Sequence, residues 1–316
     1  ERRRNAPAPF ITSKLQQEAA NRLHFTAKKT MTLAQRLYEG VELGDEGQTA
    51  LITYMRTDSV RLSDDAVKAA REHIAETYGK DALPDEPMVY KSRKSAQDAH
   101  EAIRPVSMEW TPDRVRPFLE PDMARLYELI WNRFVACQMK PAIYDQTTVE
   151  VSAGRATFRA AGSILKFAGY LAVYGMVPTT DEESDKQKEG EEPRADEGNV
   201  QLPELAEGDR LRLVGQGLLS EQHFTQPPPR FTEASLVKEL EEDGIGRPST
   251  YASIIGTILN RGYVYKKGTA LVPAWIAFSV VRLLEEHFPR QISYEFTAGM
   301  EDVLDEIAAG RADRVT

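Results

Sequence analysis

The sequence predicts a multidomain α+β chain, in which two mainly helical units of winged-helix (CAP-like) type are joined by an antiparallel β-rich unit. Apolar residues recur at helical spacing towards both ends of the chain. Between them, β-branched and small residues alternate with punctuating glycines, as in antiparallel strands. We expect the helical units at residues 14–139 and 227–316, and the β-rich unit at residues 1–13 together with 140–226.

The first helical unit begins with two helices inside residues 12–40. Ser13 and Gln16 fit a capping box for the first helix, and Gly40 ends the second, as a C-terminal glycine commonly does. The first helix then turns three apolar residues inward: Leu15, Ala19 and Leu23. A short strand and two further helices follow, expected at residues 52–55, 64–78 (with Ser63 as N-cap) and 122–139.

The β-rich unit begins at Pro141, where "QTTVEVSAGRATFRAAGSILKFAGYLAVYG" has the pattern of antiparallel strands. The stretch "DRLRLVGQGLLSEQHFT" is expected to resume these strands. Helices return after Thr232, which suits an N-cap. A tight "GIGRPS" turn then leads to a second helix and to two short strands around Lys267 and Gly268. This order of helix, turn, helix and hairpin is typical of a winged helix.

The N-terminal part faintly repeats this C-terminal pattern. The stretch "PFITSKL" is similar to "RFTEASL", and "LITYMRTDS" occupies the place of the wing strand "YVYKKG". If the repeat is structural, the tyrosine stretch lies after a recognition-type helix, where it can meet a nucleic-acid backbone.

Composition and charge restrict the compartment and the partners. The single cysteine, Cys137, excludes an internal disulfide framework and fits a reducing, cytoplasmic compartment. The net charge is −9, and the acidic run at residues 181–197, with nine acids and three bases, is expected to be a disordered, solvated loop. Basic clusters elsewhere therefore remain available to phosphate. No apolar run reaches the roughly 18 residues of a membrane span, so no membrane partner is expected.

The first candidate site is "LITYMRTDS". Alternate residues of a strand share one face, which would bring together Tyr54, Arg56 and Asp58. A phenol with a pKa of about 10 is a weak nucleophile, but a neighbouring guanidinium lowers the cost of the phenolate and matches phosphate oxygens. The group could attack a phosphodiester. The alternative is an ordinary strand tyrosine beside a surface Arg–Asp pair.

The second candidate site is "SAQDAHEAIRP", expected to be a helix that ends at Pro105. His100 and Arg104 would lie four residues apart on one face, suited to holding or protonating a phosphate. The alternative is a surface helix on which Glu101 pairs with Arg104.

The third candidate site is "EEDGIGRPSTYASI". Ser249 and Thr250 are expected at a helix N-terminus, where backbone amides favour an anion, and Arg247 adds positive charge. The alternative is a helix cap without a ligand. Five scattered histidines and one cysteine give no zinc spacing, and no P-loop or dinucleotide signature occurs, so no metal site is expected in this chain.

Together these stretches resemble the type IA DNA topoisomerases. The motifs "ITYMRTDS", "AHEAIRP" and "GIGRPSTYASII" occur in that family's order and at about its spacing. The stretches "KKTMTLAQRLYEG", "LIWNRFVACQM" and "FTEASLVKELEEDG" are also similar to the bacterial topoisomerase I group. The resemblance covers nearly the whole chain, and its main departures are the insertion "VELGDEGQT" and the acidic run.

The resemblance implies a specific reaction. Tyr54 would attack a phosphodiester and form a 5′-phosphotyrosine bond, with Arg56 on the scissile phosphate and Asp58 orienting it. Another strand would pass through the gap before resealing, so that negative supercoils relax without ATP. Adjacent backbone and the single-strand groove would be contacted by His100, Arg104, Arg247, Ser249 and Thr250. The β-rich unit would be the arch that hinges during strand passage.

The resemblance also implies missing parts. The chain lacks an initiator methionine and ends just after a helical pattern, so we expect a fragment of a longer, monomeric bacterial protein acting at the nucleoid. The family's Toprim domain with its acidic Mg²⁺ ligands, and its C-terminal zinc-ribbon region, have no counterpart here. We therefore expect this chain to bind single-stranded DNA without cleaving it, and Mg²⁺ to serve the full enzyme through ligands outside the chain.

Two other functions remain as alternatives. A non-catalytic DNA-binding protein built of winged-helix modules would need no role for Tyr54. A tyrosine recombinase fits less well, because its tyrosine would be expected near the C-terminus.

Overall fold

The computed structural model describes residues 1–91, 100–175, 202–215 and 217–314. The acidic run and the start of the second motif lie outside these ranges. The helices within them are α1 (Thr12–Leu23), α2 (Ala27–Glu39), α3 (Asp64–Thr77), α4 (Pro112–Val115), α5 (Pro121–Ala136), α6 (Leu171–Tyr174), α7 (Glu233–Glu242), α8 (Tyr251–Asn260), α9 (Trp275–His287) and α10 (Tyr294–Ala308). The strands are β1 (Arg2–Arg4), β2 (Val41–Glu42), β3 (Gln48–Thr49), β4 (Ala142–Ala153), β5 (Ala156–Phe167), β6 (Val264–Lys267) and β7 (Ala270–Pro273). None of the helices in these ranges is long and apolar enough to cross a membrane.

Helices α1, α2, α3 and α5 enclose the main hydrophobic core. On α1, Leu15 and Ala19 are fully buried, as predicted. The capping box predicted at Ser13 and Gln16 is wrong, because α1 begins at Thr12 and both residues are buried inside it. The later boundaries agree with the sequence: α2 ends at Gly40, α3 begins after Ser63, and α5 begins within two residues of the predicted start.

The β-rich unit is a three-stranded antiparallel sheet in the order β1–β4–β5. The N-terminal strand β1 pairs with the start of β4, with Arg2 opposite Tyr144. Strands β4 and β5 form one long hairpin. Where this hairpin returns to the helices, Gly169 has φ +51°, and a Cβ there would lie 2.4 Å from the carbonyl oxygen of Lys140. Only glycine fits this close crossing without moving the backbone.

The strands predicted after the acidic run are absent from the described part of residues 202–226. Alternation of apolar and polar residues stabilises a strand only where a neighbouring strand or core covers the apolar side. Here that side stays in solvent, as Leu213 and Val214 show with 70% and 83% exposure.

The C-terminal elements occur in the predicted order of helix, turn, helix and hairpin. Thr232 caps α7 by accepting a hydrogen bond from the Ser235 amide, and β6 and β7 form the hairpin that follows α8. Assignment to the winged-helix class remains a prediction. Helix α7 packs against α1, and α8 packs against α2, which places the C-terminal unit directly beside the tyrosine stretch.

Candidate nucleic-acid interface and tyrosine site

The tyrosine segment, residues 51–59, is held by side-chain hydrogen bonds. The strand predicted at residues 52–55 is wrong, since an isolated bridge at Ile52 is the β-pairing present in this segment. At the first turn of α1, the Thr12 hydroxyl donates to the Met55 carbonyl at 2.8 Å and accepts from the Thr57 amide at 2.9 Å. These bonds hold a segment whose backbone bends at Met55 and Arg56 against α1, without a ladder.

The alternation predicted for this segment is present without the strand. The inward positions are almost fully buried: Met55, Thr57 and Ser59. The outward positions are partly or fully exposed: Tyr54, Arg56 and Asp58. Arg56 is thus the exposed member of the first motif, whereas the half-buried Tyr54 packs against the main core with part of its ring.

The Tyr54 ring lies between two aromatic side chains. It contacts Tyr38 edge-on, with ring centroids 5.4 Å apart, and His100 in a tilted arrangement at 5.3 Å. Within the described residues, no hydrogen bond to the Tyr54 hydroxyl is found. The structure thus joins the first and second motifs and leaves the phenol oxygen available to a substrate.

The helix predicted for the second motif is wrong over residues 100–105, which are extended. Ile103 and Pro105 form bridges with Phe10 and Ile52, so this backbone bonds to distant segments instead of to itself. Arg104 is half-buried, and its guanidinium donates to the Glu101 carboxylate at 2.8 Å and to the Pro105 carbonyl at 2.8 Å. The alternative Glu101–Arg104 pair is therefore present, whereas His100 reaches Tyr54.

A cavity of about 620 Å³ opens between α2 and α8, beside the tyrosine segment. We call it the α2–α8 groove. Its lining contains no acidic residue among those described and three cations, Lys28, Arg36 and Arg56. Ala252 and Ser253, in the first turn of α8, also line it, so the partly positive helix end lies at the groove.

The three cations differ in their availability. Arg36 donates to both carboxylate oxygens of Glu120, at 3.0 and 2.9 Å, and this pairing lowers the pKa of Glu120. Neither Arg56 nor Lys28 forms an ion pair within the described part of the chain. Both are exposed. They are therefore the charges that an incoming phosphate meets without first breaking a salt bridge.

Of the three candidates in the third motif, one lines the groove and two form hydrogen bonds within the protein. Ser249 is exposed and lines the groove with Arg56. The Thr250 hydroxyl accepts from the Arg247 amide at 2.8 Å and so closes the turn. The Arg247 guanidinium donates to Asp305 of α10 at 2.8 Å and to the Gly246 carbonyl at 2.8 Å. Two of the three candidates thus have protein partners.

Sequence reasoning missed Lys28 and the face of α2 that carries it. This face comprises Lys28, Met31, Thr32, Gln35 and Arg36. Their helical spacing on "KKTMTLAQR" was a usable signal, but the spacing does not show which neighbour the face meets. Among the described residues, no group of three or more potential metal ligands is present.

The site therefore has the features of a protein that meets nucleic-acid phosphates: exposed cations without an ion pair among the described residues, a helix N-terminus and a partly exposed tyrosine. The family model described as DNA topoisomerase matches residues 1–316, and the chain belongs to that family.

The relatives extend this comparison. The chain is 52% identical to DNA topoisomerase 1 of Xylella fastidiosa (strain 9a5c), covering 99% of this chain and 37% of that protein. It is 50% identical to DNA topoisomerase 1 of Streptomyces coelicolor, covering 99% of this chain and 31% of that protein. A structure of full-length topoisomerase I from Thermotoga maritima is similar, with a TM-score of 0.78 and 40% identity over 98% of this chain and 47% of that one. The chain thus spans less than half the length of these relatives.

Proposed function

We propose that this chain is the tyrosine-bearing part of a type IA DNA topoisomerase, which relaxes negatively supercoiled DNA by cutting and resealing one strand. The observation that carries the proposal is that Arg56, two residues after Tyr54, is exposed and lines the α2–α8 groove, in which the described lining residues include cations and no acid. Family membership supports the same function.

The proposed reaction balances without an external energy source. The Tyr54 oxygen forms a bond to phosphorus as the bond from phosphorus to the 3′ oxygen breaks. The phenol gives up one proton and the leaving 3′ oxygen takes one. One ester replaces another, so the reverse step reseals the strand without ATP after another strand has passed.

The residues around Tyr54 supply binding and charge. Arg56 holds the scissile phosphate through its fork of donors, and Asp58, two residues further along the same side, helps to orient it. The His100 ring, which contacts the Tyr54 ring, supports the site and can hydrogen-bond the reacting phosphate. Ser249, Lys28 and the first turn of α8 contact the adjacent backbone.

In this structure, three of the candidates form hydrogen bonds within the protein: Arg104, Arg247 and Thr250. That these residues contact DNA remains a prediction. A phosphate contact by Arg247 would require its guanidinium to leave Asp305, and one by Arg104 would require it to leave Glu101. Thr250 keeps the turn that presents Ser249.

The remaining parts of the proposal concern the intact enzyme. The described residues contain no group of three or more potential metal ligands. We propose that Mg²⁺ and a Toprim domain act with this chain in the longer, monomeric protein, that single-stranded DNA occupies the α2–α8 groove, and that the β-rich unit is the arch.

The proposal predicts a covalent bond between the DNA and Tyr54, and an assay for this adduct tests it. The intact protein, incubated with Mg²⁺ and a 3′-labelled single-stranded oligonucleotide, should form a denaturation-resistant adduct that mass spectrometry maps to Tyr54. This chain alone should bind the oligonucleotide weakly and form no adduct. An adduct on another residue, or adduct formation by this chain alone, contradicts the proposal.

Arg56→Ala in the intact protein is expected to lower single-turnover cleavage by about 10²–10³-fold, the usual cost of removing a preorganised charge from a transition state. The logarithm of the binding constant should also fall less steeply with the logarithm of salt concentration, by about 0.7 for one lost single-strand phosphate contact. Arg36→Ala is the matched control, because Arg36 lines the same groove but is paired with Glu120. Equal effects of the two substitutions would contradict the role of Arg56.

A further inference from the structure

The C-terminal unit meets the tyrosine-bearing unit where α7 packs on α1 and α8 packs on α2. One cluster of four buried residues lies between them: Ala27, Val237, Tyr251 and Ile255. In sequence, the two units are joined by a stretch whose described residues 203–215 and 217–231 are all exposed. The described part of this stretch does not hold the C-terminal unit in place, so we infer that the contacts between the helices set the width of the α2–α8 groove.

One buried carboxylate crosses this interface. Glu233, in the first turn of α7, is 8% exposed. One of its oxygens accepts a hydrogen bond at 2.7 Å from the amide of Ala27, the first residue of α2. Its other oxygen pairs with the ammonium of Lys266 on β6. A single side chain thereby connects α7, the start of α2 and the hairpin.

The contact between Glu233 and α2 combines a hydrogen bond with an attraction between opposite charges. The first amides of a helix lack partners within the helix, and its N-terminus carries a partial positive charge. Glu233 supplies both an acceptor and a negative charge to α2 from the other unit. When the units separate, the Ala27 amide and the carboxylate must take water as partners instead, and Lys28, the next residue of α2, moves away from the wall formed by α8.

We propose that Glu233 is a latch: a positioning residue that holds the C-terminal unit against α2, so that the α2–α8 groove keeps the width that binds DNA, and that is released when the two units part. The latch lies at the end of α2 where Lys28 begins the groove lining. It touches neither Tyr54 nor the residues proposed to hold the scissile phosphate. Its effect on DNA rests on the proposed function, whereas its effect on the interface does not.

The interface is tested by hydrogen exchange at single-residue level, in the intact protein without DNA. The Ala27 amide should be protected, unlike an ordinary first-turn amide, and Glu233→Ala should accelerate its exchange by about tenfold or more, as expected for a local opening. Glu233→Gln keeps an acceptor but loses the charge, so its effect should be intermediate. Glu239→Ala is the matched control, because Glu239 lies on the same helix with its side chain exposed. Unchanged exchange in Glu233→Ala overturns the latch.

The groove is tested by oligonucleotide binding and cleavage with the same variants. Glu233→Ala should raise the Kd for single-stranded oligonucleotide while the cleavage rate at saturating oligonucleotide stays close to that of the parent. A faster exchange at Ala27 with an unchanged Kd overturns the positioning role. If the parent protein itself cleaves no DNA, the proposed function fails, and the exchange measurement still decides the latch.

Discussion

Tyr54→Phe in the intact protein is expected to abolish DNA cleavage and relaxation and to leave oligonucleotide binding almost unchanged. The substitution removes one oxygen and keeps the ring that contacts Tyr38 and His100. Removal of a covalent nucleophile can cost on the order of 10⁶-fold in kcat, so no product should be detectable. Relaxation is measured on supercoiled plasmid, and binding by fluorescence anisotropy of a labelled oligonucleotide.

Tyr38→Phe is the matched control for this experiment. Tyr38 presents a second tyrosine hydroxyl within one ring contact of Tyr54, yet its substitution should retain cleavage. If the Tyr54→Phe variant still relaxed plasmid DNA, Tyr54 would not be the nucleophile. A parent protein that binds DNA but never cleaves it would favour the alternative of a non-catalytic DNA-binding protein.

The geometry of the first motif was accessible from sequence because alternation is a property of the local backbone. Burial alternates from Met55 to Ser59 as that pattern predicts. The strand was wrong, because the backbone bends at Met55 and Arg56, and the Tyr54 ring packs partly against the core. The error arose because Thr12, far away in sequence, supplies hydrogen bonds that a neighbouring strand would otherwise have made.

Contacts between distant segments account for the other differences. The spacing of His100 and Arg104 fitted a helix, but bridges to Phe10 and Ile52 compete successfully for that backbone. Arg247 was expected to meet phosphate, and its partner Asp305 lies 58 residues further along the chain. Local sequence shows that a charge is present, whereas the tertiary fold determines whether it is already paired.

In the C-terminal unit, by contrast, local sequence signals predicted the elements correctly. Thr232, the glycines of the "GIGRPS" turn and the residues around Gly268 are local signals for a cap, a turn and a hairpin, and each element formed at its predicted place. What these signals could not show is that the start of α7 would cap α2. Glu233 was unremarkable in sequence, because its partners Ala27 and Lys266 belong to other elements.

Arg133 lies where the β-rich unit joins the tyrosine-bearing unit, and it is almost fully buried on α5. Its guanidinium donates to the Ala8 carbonyl and to the Tyr174 hydroxyl and lies 4.8 Å from the centre of the Phe10 ring. Burial raises the pKa of Tyr174 to about 12, although Arg133 opposes this rise. Tyr174 therefore stays neutral near pH 7, with its carbonyl bound by Arg22 of α1.

Arg133→Ala is expected to lower the free energy of unfolding by about 3–5 kcal/mol, because it leaves a cavity and removes the donor to the partly buried Ala8 carbonyl and to the buried Tyr174 hydroxyl. Urea titration followed by tryptophan fluorescence measures this change, since Trp110 and Trp131 belong to or pack on the same core. Arg133→Met fills most of the volume without a donor, so it should cost less than Arg133→Ala.

Arg125→Ala, on the exposed side of the same helix, is the matched control and should cost no more than about 1 kcal/mol, as surface ion pairs do. A loss at Arg133 as small as the loss at Arg125 would mean that the junction is held by apolar contacts alone. The larger loss would mean that the hydrogen bonds of Arg133, and not apolar packing alone, stabilise the junction between α5 and the β-rich unit.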